Sequence, residues 1–397
     1  MSKIKAEKFN IISDVPVILT AFESMQQSKD GAGPFLQEAN FYWLTGIDLP
    51  GWKCVVTDGD LYLIAPSRTD SSVIFEGSMS FEDAKAISGA SRVMTAAEGV
   101  DFIKNLAKDN EVVYTLFSDP HASYYDFVIN PAVEKLKSEL DLIFDEVKDC
   151  RAILAKRRAI KTPQEIAKMQ KAIDITASAF ESAYKDLKDG LFSYEYELEA
   201  KFSYKIRSMG ADGHAYEPIV ASGKNALTLH YGKNNDELPK NGLVLIDIGA
   251  RFNGYSADIT RTYGLGEVSE REAAVHAAVL KAHNEIIGLI APGVSLKDYQ
   301  YKSDVIMKKA LNNIGLLDDF SDEDTYRRYF PHAISHGLGV DVHESLGGFS
   351  EFKAGMTLTV EPGIYIPEEG IGVRIEDNIL VVEGGNINLS ASLSAGI

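Results

Sequence analysis

The second half of the chain carries the same order of elements twice: two helices followed by a β-hairpin. Each run opens on a helix N-terminal capping box, at residues 162–165 and 269–272, in which a Thr or Ser caps the helix and a Glu three positions later reaches back. Apolar residues then recur at helical spacing, and hairpins are predicted at residues 243–263 and 356–382. We therefore expect two pseudo-symmetric halves whose hairpins meet near the centre.

The first part of the chain alternates short β-branched or aromatic runs with helical patterns. Its clearest signals are a hairpin at residues 55–65 around Asp58-Gly59 and helices at residues 81–87 and 96–105. With 397 residues, the chain is long enough for two domains of roughly 150 residues or more. A basic segment without strand character separates them, so we predict domains at residues 1–157 and 158–397, both of the α/β (α+β) class.

Charge and cysteine content exclude several classes of partner. The chain has 40 Lys plus Arg against 58 Asp plus Glu, a net charge of −18, which repels nucleic acid and anionic membranes. Its two cysteines, Cys54 and Cys150, form no CxxC pair, so we expect neither a disulfide framework nor a thiolate zinc site. Residues 1–13 lack the apolar core of a signal peptide, and no apolar run approaches a membrane span. These features predict a soluble, cytoplasmic protein.

The first hairpin of the second half brings two aspartates to one face. Asn-Gly is the strongest two-residue hairpin signal, so Asn253 and Gly254 form the turn. Counting back along the strands places Asp258 opposite Gly249, and Asp247 becomes its diagonal neighbour on the same face. Two carboxylates on an otherwise apolar face repel each other and lose hydration, which is costly unless a cation lies between them.

The second hairpin contributes a further pair of acids. Glu361 and Glu376 are symmetric about residues 368–369 and are expected opposite each other, with Pro362 ending the first strand. Half of the eight histidines lie in segments near these four acids: His230, His332, His336 and His343. Four carboxylates and one imidazole suit two Mn²⁺, Co²⁺ or Zn²⁺ ions.

Two histidine pairs have helical spacing but are not interpreted as metal sites on a helix. His332 and His336 have the spacing of a helical zinc pair, but Pro331 and the glycines that follow favour loop and strand. His276 and His283, seven residues apart on a predicted helix, are interpreted as structural.

Six motifs carry a resemblance to a known family. They are Asp247-Ile-Gly, Asp258-Ile-Thr-Arg-Thr, Ser335-His336-x-Leu-Gly, Asp341-Val-His343-Glu, Thr359-Val-Glu361-Pro-Gly-Ile-Tyr365 and Gly372-Val-Arg374-Ile-Glu376-Asp. From about residue 158 to the end, the chain resembles the pita-bread metallopeptidases, and within them the Xaa-Pro aminopeptidases (aminopeptidase P). Residues 40–46 are similar to the creatinase/prolidase-type N-terminal α/β domain, which methionine aminopeptidases lack.

The resemblance implies a set of metal ligands and of substrate groups. Asp247 would chelate one ion, Asp258 and Glu376 would bridge both, and His336 and Glu361 would hold the other. Glu361 would also assist in deprotonating the attacking water. The remaining implied site residues act on the peptide or support the ligands: His230 and His343 at the scissile carbonyl, His332 beside the substrate, and Tyr365 and Arg374 behind the ligands.

Departures from the family pattern concern specificity. Gly337 stands where some members carry an aromatic residue after the metal-binding histidine, so the wall of the proline pocket is expected elsewhere. Gly347 stands where many microbial prolidases carry an arginine that reads a dipeptide's carboxylate, and with Gly348 it is expected to leave space for a longer peptide.

The resulting hypothesis is a dinuclear-metal Xaa-Pro aminopeptidase that acts on peptides with proline at the second position and assembles as a homodimer or homotetramer. Mn²⁺ is the expected ion, with Co²⁺ or Zn²⁺ as alternatives. The alternatives are a prolidase and, from a different class, a catalytically inactive pita-bread binding protein. A creatine amidinohydrolase lacks the metal ligands, so the intact set argues against that activity.

Overall fold

The chain divides into two compact units, Met1–Ala155 and Lys156–Ile397, in a computed structural model. The structure describes residues 15–119 and 128–397. The division falls inside a helix that ends on the basic residues Lys156, Arg157 and Arg158, a segment to which the sequence analysis assigned no element. The domain boundary after residue 157 stays a prediction.

The first unit is built on a six-stranded mixed sheet. Its helices are α1 (Ala39–Thr45), α2 (Asp70–Glu76), α3 (Phe81–Ser88), α4 (Ala96–Asp109), α5 (Ala132–Asp141) and α6 (Arg151–Ala159). Its strands are β1 (Val17–Thr20), β2 (Lys53–Thr57), β3 (Asp60–Ile64), β4 (Arg92–Met94), β5 (Val112–Thr115) and β6 (Glu146–Asp149), in the order β4-β3-β2-β1-β5-β6. The hairpin around Asp58-Gly59 is confirmed, because Thr57 pairs with Asp60 and both turn residues have positive φ.

Among its described residues, the second unit contains five further α-helices and eleven strands. The helices are α7 (Pro163–Lys188), α8 (Glu195–Ser208), α9 (Glu270–Ile287), α10 (Leu296–Asn313) and α11 (Glu323–Tyr329). The strands are β7 (Gly213–His214), β8 (Ile219–Ser222), β9 (Gly242–Ile248), β10 (Ala250–Phe252), β11 (Tyr255–Ser256), β12 (Ile259–Leu265), β13 (Thr357–Val360), β14 (Gly363–Ile366), β15 (Ile371–Arg374), β16 (Asp377–Val382) and β17 (Gly385–Asn388). Both predicted capping boxes are present, with Thr162 and Ser269 as the caps.

The two halves of this unit meet through their hairpins, as predicted. The backbone N–H of Glu376 donates to the carbonyl oxygen of Thr260 at 3.0 Å. The backbone N–H of Arg374 donates to Thr262 Oγ1 at 3.2 Å, and that hydroxyl donates to the Arg374 carbonyl at 3.0 Å. Each half keeps its own apolar core beneath its helices, so the polar groups are concentrated where the hairpins join.

The register of the first hairpin follows the turn. Asn253 and Gly254 have φ values of 46° and 75°, and Phe252 pairs with Tyr255. Farther along the same two strands Ile259 pairs with Ile248, so Asp258 lies opposite Gly249. A Cβ at Gly249 would lie 1.8 Å from the carbonyl oxygen of Ala257, so only glycine permits the two backbones to approach this closely.

The second hairpin keeps one register through its interruption. Thr357 to Val360 pair with Leu380 to Asp377, and Gly363 to Ile366 pair with Arg374 to Ile371. Both ladders have the same offset, which places Glu361 and Glu376 opposite each other between them. Pro362 separates β13 from β14, as expected of a residue that cannot donate to the ladder.

Candidate active site

A cavity of about 340 Å³ opens where the two hairpins join. Nine of the ten predicted site residues line it: His230, Asp247, Asp258, His332, His336, His343, Glu361, Arg374 and Glu376. The tenth, Tyr365, is buried behind His332 and hydrogen-bonds to it. Residues separated by as many as 146 positions in the sequence therefore share one site.

The carboxylates and one imidazole converge within metal-binding distance. Asp258, His336 and Glu376 each offer a ligand atom, and these atoms all lie within 4.8 Å of one another. The Nε2 atom of His336 is also 3.4 Å from Glu361 Oε1. Its Nδ1 atom hydrogen-bonds to the carbonyl oxygen of Gly337, so Nε2 is the nitrogen that faces the carboxylates.

The electrostatics of this cluster indicate an excess of negative charge. Burial, together with the charges of Asp258 and Glu361, holds the pKa of Glu376 well above its usual range. Burial likewise raises the pKa of Asp247 and raises the pKa of Glu361 to about 7, and the charge of Asp258 adds to both shifts. Burial lowers the pKa of His336, but its hydrogen bond to Asp258 and the charge of Glu361 raise it to about 9. Oxygen-rich, mutually repelling ligands fit hard divalent cations.

Groups behind the cluster hold Asp247 from both sides. Tyr216 Oη donates to Asp247 Oδ1 at 2.5 Å, and Arg374 Nη2 donates to Asp247 Oδ2 at 2.6 Å. Arg374 also donates to Thr260 Oγ1 at 3.1 Å and to Tyr365 Oη at 2.9 Å. The arginine is therefore engaged by neighbouring groups and orients Asp247, as expected of a residue that supports the candidate metal ligands.

Three further histidines line the cavity. Burial lowers the pKa of His332 to about 3 and that of His343 to about 4, so both imidazoles are neutral near pH 7. The ring of His343 packs edge-on against that of His336 with centroids 4.3 Å apart. Tyr365 lies 2.9 Å from His332 Nε2. His230 also lines the cavity, from the loop that follows β8.

Sequence reasoning missed several lining residues. They are Tyr216, Glu217, Ile219, Leu229, Gly232 and Val342. Ile219, Leu229 and Val342 supply an apolar wall that no motif identified. Val342 lies within the motif Asp341-Val-His343-Glu, whereas the segments that carry the other five residues have neither a periodic pattern nor a family motif.

The expectation of open space at Gly347 is wrong. Gly347 has a φ of +76°, and a Cβ there would lie 2.8 Å from the Cβ of Ala159 and 2.9 Å from the Cα of Lys156. It packs against α6 and does not line the cavity. Of the two neighbouring glycines, it is Gly348 at which an added Cβ would meet no atom within 4 Å. His276 and His283 are buried on α9 and lie outside the cavity, in agreement with a structural role.

The second unit consists of two similar halves, and a buried cluster of candidate metal ligands lies where their hairpins join. A family model described as "Metallopeptidase family M24" matches residues 167–383, and one described as "Aminopeptidase P, N-terminal domain" matches residues 7–114. The chain belongs to metallopeptidase family M24. It is a metal-dependent hydrolase whose pita-bread catalytic domain follows an aminopeptidase P-type N-terminal domain, which confirms the expected fold class.

Individual relatives cover nearly the whole chain. The Xaa-Pro aminopeptidase of Escherichia coli is 32% identical over 95% of this chain and 90% of its own length. An Xaa-Pro dipeptidase of Pyrococcus furiosus is 31% identical over 87% of this chain and 89% of its own length. The structure of aminopeptidase P from Escherichia coli with the inhibitor Pro-Leu superposes with a TM-score of 0.84, at 28% identity, over 98% of this chain and 94% of that one.

None of the helices in residues 15–119 and 128–397 is both long enough and apolar enough to cross a membrane.

Proposed function

We propose that this chain is an Xaa-Pro aminopeptidase, a dinuclear-metal exopeptidase that removes one residue ahead of a proline at the N-terminus of a peptide. The observation that carries this proposal is the cluster of Asp258, His336 and Glu376, whose ligand atoms lie within 4.8 Å of one another in a cavity that Asp247 and Glu361 also line. An intact set of ligands argues against an inactive binding protein.

Five residues would hold two divalent ions. Asp247 would chelate one, Asp258 and Glu376 would bridge the pair, and His336 and Glu361 would hold the other. Mn²⁺ is the ion we propose, with Co²⁺ or Zn²⁺ as substitutes, because one imidazole among four carboxylates is a predominantly hard ligand set. Bound ions would activate a water molecule near neutral pH and oppose the negative charge that develops on the peptide oxygen.

The side chains around the ligands then divide the remaining work. Glu361 would accept a proton from the attacking water. His343 and His230 would donate to the oxygen of the scissile carbonyl, and His332 would border the substrate. Because burial keeps His343 in its neutral form, its N–H can donate to that oxygen without repelling a free amino terminus.

The apolar wall suits the residues on either side of the scissile bond. Ile219, Leu229 and Val342 line the cavity together with the acids, and a proline ring needs such an apolar surface and no hydrogen-bond donor. Gly337, where the family often has an aromatic residue, cannot supply that wall because a Cβ there would lie 2.7 Å from the carbonyl oxygen of Glu344.

The charges of the cavity favour an aminopeptidase over a prolidase. A dipeptidase must neutralise a carboxylate one residue beyond the scissile bond, and a guanidinium fork is the strongest device for that purpose. Among the described lining residues, Arg374 is the only arginine or lysine, and it is already bonded to Asp247 and Tyr365. A longer peptide places no carboxylate at this position.

Substrate length therefore tests the assignment. With Mn²⁺-reconstituted protein, kcat/KM for an Xaa-Pro-Yaa tripeptide should exceed that for the matching Xaa-Pro dipeptide by about tenfold, or about 1.4 kcal/mol. An Xaa-Ala-Yaa tripeptide is the control for proline specificity. Preference for the dipeptide would replace the assignment with prolidase. Metal binding without cleavage of either peptide would indicate a binding protein.

Assembly and location follow as further parts of the proposal. We propose that the chain assembles as a homodimer or homotetramer and acts in the cytoplasm. The proposed location fits the two cysteines, Cys54 and Cys150, which are both free and buried. Size-exclusion chromatography with light scattering gives the number of chains, and fractionation of cells gives the location.

A further inference from the structure

A fully buried carboxylate lies outside the cavity. Glu195, the first residue of α8, has no solvent exposure. Its Oε1 atom accepts hydrogen bonds from the backbone N–H of Ser222 at 2.8 Å, from Ser222 Oγ at 2.7 Å and from Asn225 Nδ2 at 3.1 Å. Its Oε2 atom accepts from Tyr231 Oη at 2.9 Å and from the backbone N–H of Asp236 at 3.1 Å. Nothing in the proposed function uses this residue.

These five donors satisfy the charge without a cation. In the part of the chain that the structure describes, no lysine or arginine forms an ion pair with Glu195. The N-terminus of α8 is also favourable for a negative group. The carboxylate does not serve as the cap of its helix, because Glu197 accepts the backbone N–H groups of Ser193 and Tyr194 there. A buried anion with five aligned donors holds those donors in one arrangement.

All five donors belong to one loop. Residues 222–236 run from the end of β8 through a 3₁₀ turn, Gly223–Leu227, and return toward β9. Ser222 and Asn225 lie at the beginning of this loop, and Tyr231 and Asp236 lie at its end. His230 is between the two groups and is bonded directly to Tyr231 in the chain, so the bonds of Glu195 bracket the one histidine that this loop sends to the cavity.

We propose that Glu195 is a positioning residue for peptide hydrolysis, which fixes both ends of the loop 222–236 and thereby aims His230 at the scissile carbonyl. This inference rests on the proposed function, in which His230 binds that carbonyl. It assigns a role to a residue that touches neither the metal ligands nor the substrate.

The variant Glu195→Gln keeps the shape of the side chain but removes one of the two oxygens that accept hydrogen bonds from the loop. One oxygen becomes an NH₂ group, which has no lone pair to accept the donors that face it. Whichever way the amide lies, its NH₂ meets a backbone N–H, of Ser222 or of Asp236, that cannot rotate away. One end of the loop is then released. Tyr231→Phe is a milder change that removes a single donor.

Kinetics on the metal-loaded full chain separate positioning from general instability. We expect Glu195→Gln to lower kcat for an Xaa-Pro-Yaa tripeptide by about tenfold to a hundredfold, the usual range for a misplaced catalytic group. In the His230→Ala background the same substitution should cost less than about threefold, because the residue it positions is gone. Tyr231→Phe should show a smaller loss with the same dependence on His230.

Glu197→Gln is the matched control. It makes the same chemical change in the first turn of the same helix, but the Glu197 carboxylate accepts hydrogen bonds from the backbone of Ser193 and Tyr194, outside the loop 222–236, so its kcat should stay within about twofold of the wild type. Metal content by elemental analysis should be equal in all these proteins. Hydrogen exchange in residues 222–236 should be about tenfold faster in Glu195→Gln than in Glu197→Gln.

The outcomes distinguish the two levels of the proposal. Equal losses from Glu195→Gln with and without His230, or unchanged exchange in the loop, would overturn the positioning role even if the wild type cleaves the tripeptide. A wild type that binds two ions and cleaves no Xaa-Pro-Yaa peptide would overturn the proposed function, and with it the catalytic part of this inference. If Glu195→Gln does not fold, the Tyr231→Phe pair with and without His230 decides the question.

Discussion

A buried ion network connects Glu344, which follows His343 in the chain, to Arg158 at the end of α6 and to Lys161 just beyond it. Glu344 Oε1 accepts from Arg158 Nη2 at 2.5 Å and from the backbone N–H of Val340 at 2.8 Å, and Glu344 Oε2 accepts from Lys161 Nζ at 2.9 Å. The side chains of Arg158, Lys161 and Glu344 are only 8%, 3% and 3% exposed. Glu344→Gln removes the carboxylate and leaves the buried ammonium of Lys161 without it, whereas Arg158 keeps Asp341 at 3.1 Å.

Two arguments give the size of the effect. Removing one partner of a buried ion pair costs about 3–5 kcal/mol because the other charge is left uncompensated. Burial raises the pKa of Glu344, but the charges of Lys161 and Arg158 outweigh it and lower the pKa from 4.5 to about 2. That difference corresponds to about 3 kcal/mol. Because the pKa is lower in the folded state, this stability is present above pH 4.5 and is lost as the pH falls toward 2.

The assay must report on the second unit. Both tryptophans, Trp43 and Trp52, lie in the first unit, so their fluorescence does not follow unfolding of the second. Guanidinium unfolding of metal-free protein is therefore followed by circular dichroism and by hydrogen exchange in residues 336–344. At pH 7, Glu344→Gln should lower the free energy of unfolding by about 3 kcal/mol relative to the wild type. The difference should shrink as the pH is lowered from 4.5 toward 2.

A second substitution is the control. Lys161→Met alone should also destabilise the protein, but the double variant with Glu344→Gln should lose less than the sum, because one unpaired cation is removed along with the anion. Asp341 lies 3.1 Å from Arg158, and burial together with the charge of Glu344 raises its pKa, so its titration must be followed in the wild type and in each variant. A cost below about 1 kcal/mol for Glu344→Gln at pH 7 would refute the argument from burial.

Four other substitutions have defined outcomes. His343→Ala should keep both metal ions and lose roughly 10²–10³ in kcat, the usual cost of one oxyanion donor, whereas His336→Ala should lose metal; equal metal content in His336→Ala and the wild type by elemental analysis would contradict this division. Tyr216→Phe should weaken metal binding about tenfold to a hundredfold in a competition titration. Gly249→Ala, whose Cβ would lie 1.8 Å from the carbonyl oxygen of Ala257, should lower the free energy of unfolding by about 1–3 kcal/mol or prevent folding, and wild-type stability would contradict the close approach.

Local signals of the sequence were sufficient for much of the fold. Capping boxes at Thr162 and Ser269 defined helix starts because the cap and the Glu three positions later satisfy each other within one turn. The turn at Asn253-Gly254 fixed the register of its hairpin, since every later pair follows by counting. The turn alone therefore predicts the relative positions of Asp247 and Asp258 on this hairpin.

Contacts between distant segments had no such signal. Arg158 and Glu344 are 186 positions apart, and neither the basic run nor the His343-Glu344 pair indicates their contact. Tyr216 reaches Asp247 from a segment without a periodic pattern. Gly347 was expected to mark free space, but the absence of a side chain there accommodates the backbone of α6. A glycine in a sequence does not reveal whether its Cα faces solvent or another chain segment.

Metal content measured together with peptide hydrolysis tests the central claim most directly. The account predicts two divalent ions per chain after dialysis against Mn²⁺, loss of Xaa-Pro-Yaa hydrolysis when a chelator removes them, and recovery when Mn²⁺ or Co²⁺ is restored. Asp258→Ala and Glu376→Ala should each lose at least one ion and several orders of magnitude in kcat, because each is proposed to bridge the pair. Full hydrolysis by exhaustively metal-stripped protein, or near-normal turnover in either variant, would contradict it.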